Sequence, residues 1–148
     1  FPMEKVFESF VAAKFRKHLP SGISLKTQDT RYSLFDSPNR AFALRPDIVL
    51  EFNGHTIVLD TKWKLLADNN RNSGISQSDM YQMYAYSKKY NADCIVLLYP
   101  HSDSVSRTDI RFASDDNVKV EVSFIDLRNV DESISKILDG FESLKLPC

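Results

Sequence analysis

At 148 residues, 43% hydrophobic and 26% charged, the chain has the composition of one globular domain, with no repeat, low-complexity tract or second-domain boundary. A net charge of −1 excludes a chain that coats nucleic acid through a global positive field, though not one that meets phosphate through local contacts. No apolar run is long enough to span a membrane and no signal peptide is visible, so a cytoplasmic location is expected.

The chain opens on Phe1 rather than Met, so a piece of a longer subunit is expected. Met3, Val6, Phe7, Phe10, Val11 and Phe15 fall at helical spacing, which predicts an amphipathic helix to about His18, with Pro2 near its first turn. Glu4 and Glu8 flank its apolar stripe; on the residues alone, solvated glutamates are the readier reading. Leu19-Pro20-Ser21-Gly22 ends the helix. A loosely alternating stretch from about Lys26 to Phe35 predicts a first strand, and Asp36 to Asn39 a turn.

Leu44 to Lys64 predicts a β-hairpin. Asn53-Gly54 sits between two apolar runs, and both residues tolerate the positive φ of a type I′ turn. A two-residue turn pairs Phe52 with His55, and then Leu50 with Ile57, Ile48 with Leu59, and Asp47 with Asp60. Two carboxylates then face each other at a Cβ separation of about 4.5–5.5 Å. They repel unless something positive sits beside them. The two-residue period of a strand puts Lys62 on the face of Asp60 and turns the Thr61 side chain away. Two acids and an amine converge, an arrangement suited to a divalent cation beside a lysine. Arg45 lies opposite Lys62 with Lys64 on the same face, a local positive strip suited to phosphate, although ordinary surface charge would look the same.

Leu65 to Gly74 is polar and predicts a mobile loop. Ser76 reads as an N-cap with Asp79 as its capping-box partner, opening a helix to about Tyr90. Gln82 and Tyr86 are i, i+4 neighbours on that helix and are candidates for the edge of the site, since an amide and a phenol can bond phosphate oxygens or a metal-bound water without adding charge. Met80, Met83 and Tyr84 are expected in the core. Ala92 to Tyr99 is continuously apolar, as a doubly buried parallel strand should be. Strands follow near Asp109 to Ala113 and Val118 to Asp126, then a helix from about Val130 to Phe141. Cys94 and Cys148 are expected as free thiols in a reducing compartment. Nothing in this last third suggests chemistry. The four glycines are scattered and build no phosphate-cradling loop, the three histidines show no zinc spacing with the cysteines, and no serine sits in a nucleophile elbow.

Pro46-Asp47 followed by Asp60-Thr61-Lys62 resembles the PD-(D/E)xK signature of restriction-endonuclease-like nucleases. The wider text from about Met3 to Pro100 resembles the C-terminal nuclease domain of McrC, the cleavage subunit of McrBC methylcytosine-dependent restriction systems. The residues that carry this are Phe7-Glu8, Leu44-Arg45-Pro46-Asp47-Ile48, Leu59-Asp60-Thr61-Lys62-Trp63-Lys64 and the helix Asp79-Met80-Tyr81-Gln82-Met83-Tyr84-Ala85-Tyr86. The resemblance implies an α/β domain with an α-β-β-β-α-β core, a mixed sheet flanked by helices, filling residues 1–148. It implies Mg²⁺, with Mn²⁺ as a substitute, held by Asp47, Asp60 and the Thr61 carbonyl, with Glu8 on its water shell or on a second ion. Lys62 would position the attacking water or offset developing negative charge. The implied substrate is double-stranded DNA. The implied partners are an AAA+ GTPase of the McrB kind, engaged by a separate N-terminal region, and a second nuclease copy for a double-strand break. Two rivals are open: a non-catalytic module of the same fold for DNA binding or docking, and another PD-(D/E)xK enzyme such as a repair exonuclease or Holliday-junction resolvase.

Overall fold

The computed structural model of the chain describes residues 2–143. Its elements run α1 (Met3–His18), β1 (Ser24–Thr27), β2 (Ser33–Phe35), β3 (Ala41–Ala43), β4 (Ile48–Phe52), β5 (His55–Thr61), α2 (Gln77–Tyr90), β6 (Cys94–Pro100), β7 (Arg111–Ala113), β8 (Lys119–Ile125) and α3 (Val130–Ser143). Six strands form one mixed sheet in the order β1-β4-β5-β6-β8-β7, while β2 and β3 pair only with each other. Within the main sheet, α1, β1, β4, β5, α2 and β6 follow the expected α-β-β-β-α-β order, with the β2–β3 hairpin inserted after the first strand.

Strand alternation divides the core into two layers. Ile48, Leu50, Ile57, Leu59, Cys94, Val96 and Leu98 pack under α1 and α3. Their neighbours Val49, Val58, Ile95, Leu97 and Tyr99 pack on the opposite face with Met83, Tyr86 and Tyr90 of α2. Every residue of β6 is buried, because β5 and β8 flank it in parallel and helices cover both its faces.

The β4–β5 register is the one that Asn53-Gly54 dictates: Phe52 pairs with His55, Leu50 with Ile57 and Ile48 with Leu59. Asn53 and Gly54 have φ of 48° and 78°, both in the left-handed region of a type I′ turn. A Cβ at Gly54 would meet nothing within 4 Å, so only the backbone angle opposes a side chain there. Gly54→Ala is expected to cost about 1 kcal/mol and to lower Tm by roughly 2–4 °C, read by thermal denaturation. An unchanged Tm would mean that the turn does not hold the register.

The expected strand from Lys26 to Phe35 is two strands. Gln28 takes φ 51°, which ends β1, and Asp29 then closes a turn by accepting from the backbone N–H of Arg31 at 2.9 Å and its Nε at 2.8 Å. The loop after β5 is tied down rather than slack. Leu66 is fully buried, the Asp68 N–H donates to Ser104 O, and its carboxylate accepts from the Ser106 N–H and hydroxyl. Tyr84 is not in the core: it is 42% exposed, and its hydroxyl donates to Asp116. Cys94 is not a free thiol but disulfide-bonded. A count of two cysteines permits either state, and Cys148 lies outside the described residues.

Candidate active site

The hairpin brings its two carboxylates together at the end where β5 leaves the sheet. Asp60 lies on the α2 side of β5 and is 3% exposed. Asp47 precedes β4 by one residue, so the sheet pleat does not fix its side chain. Its carboxylate reaches across the end of β5, where Oδ2 accepts from the Thr61 N–H at 2.8 Å and the Thr61 hydroxyl at 2.7 Å. The Thr61 side chain is therefore engaged with Asp47, not turned away from the site as strict alternation predicts. The Asp47 N–H in turn donates to Asp60 Oδ1 at 3.3 Å.

Lys62 stands between the acids and α2. Its Nζ is 2.9 Å from Asp60 Oδ2, 3.5 Å from Asp79 Oδ1, and donates to Gln82 Oε1 at 3.0 Å. Gln82 Nε2 then donates to the Tyr86 hydroxyl at 2.9 Å. The i, i+4 pair on α2 is thus joined to the DxK strand by one chain of hydrogen bonds, and the Ser76 cap that accepts the Asp79 N–H at 3.0 Å starts the helix at the register this needs. Asp79 was expected only as a capping partner. Its carboxylate instead faces Lys62, because the first turn of α2 sits over the end of β5.

From the other side comes α1. Phe7 packs against Trp63 with ring centroids 5.3 Å apart, which sets the helix against the strand end and leaves Glu8 beside Asp47. Gln28, which no sequence signal singled out, links the two: its amide donates to Glu8 Oε1 and, at 3.2 Å, to Asp47 Oδ1. A cleft of about 450 Å³ opens on Glu8 and Asp47, with Lys5 and Arg16 on its walls. Arg45 is exposed and has no ion pair among the described residues, whereas the Lys64 ammonium is on the Gly74 carbonyl. β5 ends at Thr61 and the Lys64 N–H turns back to Lys62 O, so the strand period that would align Lys64 with Lys62 stops short of it.

The electrostatics follow from packing four acids, Glu8, Asp47, Asp60 and Asp79, around one end of a sheet. The Glu8 carboxyl is pushed up to about 8, first by its hydrogen bond with Asp47, then by burial and by the charges of Asp47 and Asp60. Asp60 is pushed up to about 7, chiefly by burial and then by Asp47, with Lys62 pulling the other way. For Lys62, burial alone would lower the pKa, but Asp60, Asp79 and Asp47 outweigh it and the net direction is up, so the ammonium keeps its proton. Tyr86 is pushed well above its ordinary value by burial and then by the two aspartates, so it is a neutral phenol. The protein alone thus leaves this cluster short of positive charge.

Among the described residues, no three His, Cys, Asp or Glu side chains are placed to hold a metal ion by themselves. The cluster does offer two aspartate carboxylates, both hard oxygen donors. That suits Mg²⁺, which is commonly bound by one or two carboxylates and otherwise by water. A second positive charge between Asp47 and Asp60 would relieve the repulsion that raises both Glu8 and Asp60.

The family model for a McrBC 5-methylcytosine restriction system component matches residues 1–100, a span that contains every residue of this cluster. No curated protein matches the chain.

Proposed function

The chain belongs to the McrBC 5-methylcytosine restriction system component family, and from this we propose that it is the metal-dependent DNA endonuclease module of such a system, with a restriction-endonuclease-like fold. The observation that carries the reading is the convergence of Asp47, Asp60 and Lys62, with Lys62 joined to Gln82 and Tyr86 of α2. A family member acts in restriction; hydrolysis of the DNA phosphodiester is the chemistry this cluster fits.

Mg²⁺, or Mn²⁺ in its place, supplies charge to offset the anionic transition state and acidifies a bound water. Asp47 and Asp60 would hold the ion, with the Thr61 carbonyl as a third protein ligand. The Thr61 N–H and hydroxyl fix the Asp47 carboxylate, so its orientation exists before substrate arrives. Lys62, held protonated by Asp60 and Asp79, donates to the attacking water or to the developing charge on phosphate. Gln82 accepts from Lys62 and so aims the ammonium without neutralising it. Glu8, with its pKa raised to about 8, holds or accepts a proton near neutral pH, and it would serve the ion's water shell or a second ion. Arg45 meets a flanking phosphate. The other participants are a McrB-like AAA+ GTPase and a second nuclease copy for the opposite strand, all in the cytoplasm.

The test is calorimetric titration of Mg²⁺ and Mn²⁺ into wild type and Asp60→Ala, each with and without duplex DNA. Binding that the variant loses supports the two-aspartate site. Equal heats in both proteins would place any ion elsewhere, and the absence of binding even with DNA would favour a docking module of the same fold.

A further inference from the structure

The β2–β3 hairpin belongs to neither core layer, yet it is built on the same scaffold as the site. At its base, Tyr32 packs edge-on to Tyr90 of α2 at 4.7 Å, and the Tyr90 hydroxyl donates to Asp29 at 2.7 Å. Arg40 closes the two strands by donating to the Arg31 carbonyl at 2.9 Å and the Thr30 carbonyl at 3.3 Å. The Leu44 N–H donates to Tyr32 O, and Leu44 is buried three residues before Asp47. The hairpin is thus anchored to the helix that carries Gln82 and Tyr86, and it runs on through buried Leu44 into the segment that carries Asp47.

Its outer part does the opposite of a core element. Phe35 is 58% exposed and Phe42 71% exposed, and their rings contact each other at 6.1 Å and 76°. Phe42 also takes φ 59°, a conformation that is unusual for a bulky side chain and carries an energetic cost. Two large rings are therefore presented to the outside on a braced support. The charge around them is positive. Arg40 spends its hydrogen bonds on neutral carbonyls, neither Arg40 nor Arg45 has an ion pair among the described residues, and Asp36 is the one acid between Thr30 and Arg45.

We infer that the β2–β3 hairpin is a DNA-engaging wedge, in which Phe35 and Phe42 stack on bases beside the phosphate presented to Asp47 and Asp60 while Arg40 and Arg45 meet the flanking backbone. This rests on the nuclease reading above and adds the element that holds the substrate. Apolar rings flanked by arginines unstack and bend duplexes in this way, and a phenylalanine face accepts any base, so the contact is tolerant of sequence. A protein-docking patch would not need arginines left uncompensated around it.

The experiment measures binding of the chain to a short duplex carrying 2-aminopurine, in metal-free buffer, by fluorescence anisotropy and by 2-aminopurine emission. Wild type is expected to bind and to raise the emission as bases unstack. Phe35→Ala/Phe42→Ala should lose the emission rise and bind about tenfold or more weakly, with an unchanged salt slope because no phosphate contact is removed. Phe35→Leu/Phe42→Leu, which keeps an apolar wedge but removes the ring faces, should keep part of the emission rise and bind more weakly than wild type. Wild-type affinity and emission in either pair would overturn the wedge and leave the two-aspartate site standing, since that site is read separately by metal binding to Asp60→Ala. Unchanged DNA binding with altered sedimentation of the alanine pair would assign the rings to a contact between copies, also against the wedge. No DNA binding by wild type would overturn it as well.

Discussion

Asp60→Asn in the assembled restriction complex is expected to reduce DNA cleavage by at least about a hundredfold, because partners that merely orient a metal ligand already cost about 10–100-fold when removed. Asparagine preserves the shape of the side chain and still accepts from the Asp47 N–H, so the geometry survives while the charge does not. Lys62 loses its 2.9 Å partner but keeps Asp79 and Gln82. Stability should move the other way. A buried carboxyl whose pKa is raised by burial and by Asp47 destabilises the folded state once it ionises, and a neutral amide avoids that. The variant is therefore expected to have a Tm at or above that of wild type at pH 8, the mark of a residue kept for function at the expense of stability. Plasmid cleavage with the proposed GTPase partner present, alongside thermal melts, reads both. Cleavage within about tenfold of wild type would remove Asp60 from the chemistry.

The parts of this site that were legible in the sequence are those set by short-range rules. Asn53-Gly54 permits one tight turn, the turn fixes the register, and its last pair, Ile48 with Leu59, leaves Asp47 and Asp60 at the same end of the hairpin. Ser76 announces the start of α2, and the helical repeat then puts Gln82 and Tyr86 on one face. Glu8 is of a different kind. Its place on the stripe's edge says only that it can look over the core, and it is the packing of Phe7 on Trp63 that brings it to Asp47. Gln28 and Asp79 were not legible because each depends on a local choice with two outcomes. Gln28 reaches both acids only after its backbone enters the left-handed region, which glutamine gives no reason to expect. Asp79 carries a complete explanation as a capping residue, and only the stacking of α2 over β5 turns its carboxylate to Lys62. The same limit explains Thr61: alternation holds inside a strand, and Asp47 lies just outside one.

Lys62→Met is expected to destabilise the protein in a pH-dependent way, with little effect near pH 5 and a large one above neutrality. The Asp60 carboxyl has an ordinary value of 3.8 and is raised to about 7 in the fold, with Lys62 opposing the rise. Its contribution to stability is therefore fully present below pH 3.8 and is lost as pH rises through the folded value, since the unfolded chain has released the proton and the folded one still holds it. Removing Lys62 takes away the charge that limits this loss, and the folded value climbs further. At pH 5 Asp60 is protonated in both proteins and the two differ little. Above about 7 the wild-type carboxylate is stabilised by its ammonium and the variant has none. The gap should then grow by about 1.4 kcal/mol per pH unit, up to about 3–5 kcal/mol for an uncompensated buried charge. Asp79 is too exposed to replace that loss by needing a partner of its own, with a quarter of its side chain in solvent. Asp60→Asn/Lys62→Met should flatten the pH dependence again, which separates the ion pair from the packing of the lysine stem. Melts of the three variants at about pH 5 and about pH 8.5 decide it, and an equal Lys62→Met deficit at both would mean that the lysine acts through its stem alone.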